Sequence, residues 1–233
     1  MKKMFIASTS TLYQGAYLDY LTSDLEAFFK GIDEIIFIPY ARPGGISHDD
    51  YTARAKQAFK DIDINVVGLH SFDDPVSALT NAKAVFTGGG NTFLLVSQLY
   101  KYKLLPLLRD RIYDGMPYFG TSAGSNITGI TMQTTNDMPI IYPPSFKTLG
   151  AVPFNINPHY LDPIEGSKHM GETRETRIQE FHTYNTIPVV GLREGSWLDV
   201  QGDQITLKGT LSARIFEQGK EPYEVNTGSL IKF

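Results

Sequence analysis

Apolar residues return along the first two thirds of the chain with two alternating periods. Short runs rich in branched and aromatic side chains have the length and composition of buried strands: Met4–Ala7, Ile35–Pro39, Ile64–Gly68, Ala84–Thr87 and Tyr118–Gly120. Between them, apolar residues recur every three or four positions. Leu18, Leu21, Leu25, Phe28 and Phe29 do so within Ala16–Phe29, and Tyr51–Phe59, Phe93–Tyr100 and Leu104–Tyr113 are spaced in the same way. Strand and helix alternating at this spacing predict right-handed βαβ units and a mostly parallel central sheet flanked by helices. After Pro188 the pattern changes to short, turn-rich strands: Val189–Leu192, Trp197–Val200, Gln204–Leu207, Ala213–Phe216 and Leu230–Phe233. Gln201-Gly202-Asp203 and Gln218-Gly219-Lys220 have the composition of hairpin turns. No linker precedes this third, so it is expected to be an antiparallel C-terminal extension of the same sheet. The chain then forms a single α/β domain over residues 1–233.

Composition narrows the chemistry. A chain of 233 residues and 26.0 kDa buries roughly 70% of its unfolded surface and needs no staples. The formal net charge of −4 does not suit a polyanion, and no nucleic-acid partner is expected. The chain has no cysteine, which removes disulfides, thiolate metal sites and cysteine nucleophiles together. Met4–Ile6 is far too short for a signal-peptide core, and runs such as Ile35–Ile38 are too short to cross a bilayer. No membrane partner is expected, and a cytoplasmic location is the default.

Gly120-Thr121-Ser122-Ala123-Gly124 fits G-x-S-x-G. The pattern recurs by chance, so its surroundings must carry the argument. Met116-Pro117-Tyr118-Phe119 reads as a buried strand before it, and Ala123 onward can open a helix after it. A strand, this turn and a helix make a nucleophile elbow, with the serine held at the C-terminal edge of the sheet where α/β folds place ligands. Ser122 is therefore the candidate nucleophile. Thr87-Gly88-Gly89-Gly90-Asn91 follows another strand and precedes another helix. It matches neither phosphate-binding pattern, and its bare backbone suits an oxyanion hole better. The donors would be the N–H groups of Gly89 and of Ala123, the residue after the serine.

A serine nucleophile needs a base, and there are five histidines. His48 lies beside Asp49 and Asp50, His70 opens a polar segment, and His169 and His182 flank the helical stretch Gly171–Phe181. His159 follows the apolar run and proline of Asn155-Ile156-Asn157-Pro158, a place where loops carry catalytic groups. Two acids are candidates to orient it: Asp137, in Thr134-Thr135-Asn136-Asp137-Met138-Pro139, and Glu194, in Leu192-Arg193-Glu194-Gly195-Ser196-Trp197. The residues alone leave this choice open. The chain has no H-E-x-x-H and no close histidine pair on a helix face, so neither a metal nor any other cofactor is expected.

These segments, with Gly171-Glu172-Thr173-Arg174-Glu175, together resemble the peptidase E family of serine peptidases, α-aspartyl dipeptidases related to the cyanophycinases. The likeness spans nearly the whole chain. It implies a glutamine-amidotransferase-like α/β fold in which serine replaces the usual cysteine, and hydrolysis of dipeptides with an N-terminal aspartate. Carried onto this chain, it implies Ser122 as nucleophile and His159 as base, with the acid matching either Asp137 or Glu194. It also points to Asn136 and Arg174 as substrate-binding residues. A pocket selecting a β-carboxylate needs a fixed cation, and an arginine fork grips a carboxylate bidentately. Arg174 is expected in the first turn of a helix beginning near Glu172, with Arg177 one turn on, paired at the surface with Glu180 or Thr173. The partner is then a small acidic dipeptide. Two other readings fit the same residues: an esterase of the α/β-hydrolase type, and a non-catalytic binder of acidic peptides.

Overall fold

Strands buried on both faces require helices on both sides, and the alternation of side chains along the central strands supplies two such faces. A computed structural model describes residues 1–163, 166 and 170–233. Strands β1 (Lys3–Ala7), β2 (Glu34–Ile38), β3 (Asn65–Gly68), β4 (Val85–Thr87) and β5 (Tyr118–Thr121) pair in parallel in the order β3-β2-β4-β5-β1. Phe5, Ile35, Phe37, Phe86 and Phe119 point to one face. There they meet Leu25 of α1 (Thr22–Phe28) and Tyr51, Ala55 and Phe59 of α2 (His48–Phe59). Met4, Ile6, Ile36, Ile38, Val85 and Tyr118 point to the other. They pack on Leu79 of α3 (Pro75–Asn81), Leu95 and Leu99 of α4 (Thr92–Lys101), and Leu108 and Ile112 of α5 (Leu104–Tyr113).

The helix expected over Ala16–Phe29 is shorter than its periodicity suggests. Leu18 adopts φ 62°, and a 3-10 turn at Asp19–Leu21 precedes α1. The Leu18 N–H donates to Ser10 O at 2.7 Å and its side chain is buried, so docking onto the sheet overrides the local pattern. Helix α3 was not among the expected elements, although Asp74 caps it and Pro75 occupies its first turn.

The last third does not extend one sheet. The chain after α6 (Ala123–Asn126) reaches β6 (Asn155–Pro158), α7 (Arg174–His182) and β7 (Val189–Leu192). Strands β8 (Ser196–Gln201) and β9 (Gln204–Gly209) do continue the large sheet, β8 antiparallel to β1 and β9 antiparallel to β8. Strand β7, however, pairs with β10 (Ala213–Phe216), which pairs with β11 (Tyr223–Val225), while β6 runs parallel to β7. These four form a second sheet in the order β11-β10-β7-β6. The switch occurs at Arg193–Gly195, where Gly195 has φ +85° and the Ser196 N–H closes on Arg193 O at 3.1 Å. Ile156, Val190, Leu192 and Ile215 of the second sheet share a core with Ile6 and Ile38 of the first. The Leu230–Phe233 run forms only an isolated bridge, between Leu230 and Thr206. No helix among the described residues is long and apolar enough to cross a membrane.

Candidate active site

Ser122 follows β5 directly and adopts φ 53°, ψ −109°. A residue with a β-carbon is strained there by about 1–3 kcal/mol and persists only where its surroundings fix it. Here the Ser122 N–H donates to Ala7 O (3.2 Å), Ser122 O accepts from the Asn126 N–H (2.8 Å), and the Ser125 hydroxyl reaches Ala7 O at 2.6 Å. A β-carbon on Gly124 would strike the Thr87 carbonyl, so helix and sheet pack here too closely for any side chain.

His159 follows β6 with φ 53°. Its N–H donates to the buried Ser8 hydroxyl at 2.9 Å, and that hydroxyl donates to Leu192 O at 2.7 Å, so Ser8 fastens the first sheet to the second. The imidazole Nε2 stands 2.8 Å from Ser122 Oγ, and Nδ1 stands 2.6 Å from Glu194 Oε1. An Nδ1–H held by the carboxylate leaves the Nε2 lone pair facing the serine hydroxyl. Glu194 sits in the turn between β7 and β8, so the split of the C-terminal third into two sheets is what brings it to the imidazole. The His159–Glu194 contact is open to solvent on one side, with side-chain exposures of 35% and 44%. Burial, with the Glu194 charge nearby, pushes the Tyr20 phenol well above its usual pKa, and its hydroxyl donates to Thr9 O at 2.7 Å.

Asp137 is placed elsewhere. Its Oδ2 accepts from the Thr92 N–H (2.7 Å) and hydroxyl (2.6 Å), and lies 3.0 Å from the Thr135 hydroxyl. It thus satisfies the first backbone N–H of α4, whose N-cap is Asn91 at the end of the glycine loop, and the carboxylate beside the imidazole is that of Glu194. Asn136 donates to Pro158 O at 2.6 Å and accepts from Asn157 Nδ2 at 2.7 Å. Its carboxamide holds the strand that presents His159.

Gly89 is buried against the serine: a β-carbon on it would come 2.9 Å from Ser122 Cβ. Its carbonyl accepts from the Tyr51 hydroxyl at 3.1 Å. The N–H groups of Gly89 and Ala123 meet no acceptor among the described residues.

Arg174 is the first residue of α7, whose cap is Thr173, accepting from the Thr176 N–H at 3.1 Å. Burial and the neighbouring Arg177 lower the Arg174 pKa, while the Asp137 charge pulls it back up, so Arg174 and Asp137 share one electrostatic neighbourhood. Arg174 forms no ion pair among the described residues, and the expected pairing of Arg177 with Glu180 is absent there too. Lys168 and His169 lie outside the described residues. His70 pairs with Asp49 at 2.9 Å, and His182 contacts Ile187 O at 3.0 Å, both away from the serine. Ser8, Tyr20 and Thr92 support the site without having been singled out from the sequence. Nothing in a lone serine, tyrosine or threonine marks such a role before the strands are paired.

The model of peptidase family S51 matches residues 4–208. A protein named "Peptidase E" from Streptomyces coelicolor is 48% identical over 226 residues, covering 97% of this chain and 92% of its own. A "Probable alpha-aspartyl dipeptidase" from Drosophila melanogaster is 46% identical over 219 residues, covering 93% and 90%. Among solved structures, a putative peptidase E protein from Listeria monocytogenes superposes with TM-score 0.69 at 20% identity, covering 91% of this chain and all of its own. A peptidase from an acI-B1 Actinobacterium gives 0.71 at 16%, covering 100% and 97%. At these identities the two structures speak for the fold alone.

Proposed function

The chain belongs to peptidase family S51, and from that premise we propose that this serine-type dipeptidase cleaves dipeptides carrying an N-terminal aspartate by acyl transfer to Ser122. The observation that carries the reading is the continuous run from Ser122 Oγ through both imidazole nitrogens of His159 to Glu194, at 2.8 and 2.6 Å.

In this reading His159 Nε2 takes the hydroxyl proton as Ser122 Oγ attacks the scissile carbonyl carbon. Glu194 holds the Nδ1–H and stabilises the imidazolium that forms. The N–H groups of Gly89 and Ala123 face the oxygen on which negative charge develops. The imidazolium then protonates the leaving amine, and water repeats the sequence on the aspartyl ester. Arg174 takes the β-carboxylate of the substrate. Asp137 supplies a counter-charge for the N-terminal ammonium, since its Oδ1 has no partner among the described residues.

The test is a dipeptide panel in which the first residue varies over Asp, Asn, Glu, isoAsp and Ala, together with fluorophosphonate labelling. Preference for Asp-Xaa and labelling at Ser122 are expected. Cleavage of p-nitrophenyl esters without any Asp-Xaa would establish the esterase instead. A folded protein that neither hydrolyses nor takes the label would be a binder.

A further inference from the structure

A second arginine stands beside the glycine loop with no assigned work. Arg42 lies just past the end of β2, next to Ala41, whose carbonyl accepts from the Asn91 N–H at 2.7 Å. Its guanidinium carbon is 4.5 Å from the centroid of the Tyr51 ring. The Tyr51 hydroxyl holds Gly89 O, and Gly89 packs on Ser122. Arg42 Nε is buried with no hydrogen-bond partner, and the side chain forms no ion pair among the described residues. A buried charged donor without an acceptor is costly. An arginine fixed over an aromatic face beside a nucleophile is a preformed seat for an anion.

We propose that Arg42 is a specificity-determining residue that grips the C-terminal α-carboxylate of the dipeptide. The proposal rests on the dipeptidase reading above. In an Asp-Xaa dipeptide two carboxylates flank the scissile carbonyl, the aspartate side chain on one side and the chain terminus on the other. Arg174 and Arg42 both lack ion-pair partners among the described residues and stand on different segments. Arg174 opens α7, and Arg42 stacks on Tyr51, which belongs to the core under α2.

Strand spacing sets the span that a ligand between Ser122 and Arg42 must bridge. Strand β4 separates β2 from β5, which places their ends about 10 Å apart. The terminal carboxylate carbon lies roughly 4 Å from the scissile carbon, and an arginine fork adds about 4 Å more. In an Asp-Xaa dipeptide the leaving amine belongs to the residue that bears the α-carboxylate, so a cation gripping that carboxylate also positions the amine that His159 must protonate. A longer peptide would put a neutral amide there, so the same contact would favour dipeptides over longer chains.

The test measures kcat/KM for Asp-Leu, its C-terminal amide and Asp-Leu-Leu in the wild type, Arg42→Met, Arg42→Gln and Arg42→Lys, with folding checked by Tm. The wild type is expected to prefer the free acid over the amide by about tenfold or more, mainly through KM. Arg42→Met and Arg42→Gln should bring that ratio to within about twofold of unity, and Arg42→Lys should keep part of it. A ratio preserved in the folded Met or Gln variant overturns the proposal. So does a wild type indifferent to the amide. Equal losses on acid and amide would assign Arg42 to holding Tyr51 and the glycine loop. If the wild type cleaved none of the three peptides, the dipeptidase reading would fall and this proposal with it.

Discussion

Glu194 Oε1 stands 2.6 Å from His159 Nδ1, although the two residues come from separate turns 35 positions apart. Asp137, the other acid, is bonded to Thr92 and shares its surroundings with Arg174. The two carboxylates should therefore fail differently. Glu194→Gln removes the charge that stabilises the imidazolium and should lower kcat for Asp-Leu by about 10²-fold or more with little change in KM. Asp137→Asn should act mainly on KM, because the imidazole keeps its partner while the substrate ammonium loses a counter-charge. Steady-state kinetics on both variants separate the roles. The assignment fails if Asp137→Asn lowers kcat and Glu194→Gln does not.

Ser122 and His159 should behave as one unit. Ser122→Ala and His159→Ala are each expected to cost several orders of magnitude in kcat, leaving a residual of about 10³–10⁴ over water from the oxyanion donors. The double variant should cost little more than either single. A Ser122→Ala protein that is folded and keeps a tenth of the rate would remove the serine from the chemistry. The backbone gives a second readout. Because Ser122 sits at φ 53°, Ser122→Gly should be more stable than Ser122→Ala by about 1 kcal/mol, visible as a higher Tm.

The parallel half of the sheet was legible because its strands are buried on both faces and read as unbroken apolar runs. The elbow was legible because Gly120 and Gly124 are demanded by close packing. The second sheet was not. Strand β6 carries Asn155 and Asn157, whose side chains hydrogen-bond to Thr131 and Thr134, so polar groups satisfied only by tertiary contacts hid its strand pattern. Which of Asp137 and Glu194 lies beside the imidazole depends on the same division, since the turn holding Glu194 is defined by where β7 leaves one sheet and β8 joins the other. Asn136 shows the converse. The resemblance gave it a substrate role, and only the fold reveals that its carboxamide also donates to Pro158 O.

Arg174 opens α7 with no ion-pair partner among the described residues and with Asp137 close enough to influence it. Arg174→Met should cut kcat/KM for Asp-Leu by about 10²-fold or more, because a β-carboxylate would be left without its partner. Ala-Leu carries no such group and should lose far less. Selectivity for Asp-Leu over Ala-Leu is therefore the quantity to measure. Equal losses on the two peptides would place Arg174 in the support of the fold.

The turn that presents Glu194 is anchored by its neighbour. The Arg193 guanidinium forks onto Asp162 at 2.6 and 2.8 Å and onto Glu224 at 2.9 and 3.0 Å. The Arg193 hydrogen bond holds the Asp162 carboxyl below its usual pKa. For Glu224, burial works in the opposite direction and is outweighed by hydrogen bonds from Arg193 and Ser212, so its pKa is lowered as well. In the unfolded chain these groups titrate near their ordinary values of about 3.9 and 4.3. Between the folded and unfolded values the unfolded chain binds more protons, so stability rises with pH in that window. The contribution is complete above the unfolded values and is lost as pH falls through the folded ones. Melting curves from about pH 5 down to pH 3 should therefore show a steep fall of Tm in the wild type and a shallower one in Glu224→Gln, which has one fewer carboxylate to protonate. At pH 7 the variant should be the less stable of the two, because Arg193 keeps only one charged partner. Parallel Tm curves for the two proteins across that range would show that the fork contributes nothing to acid stability.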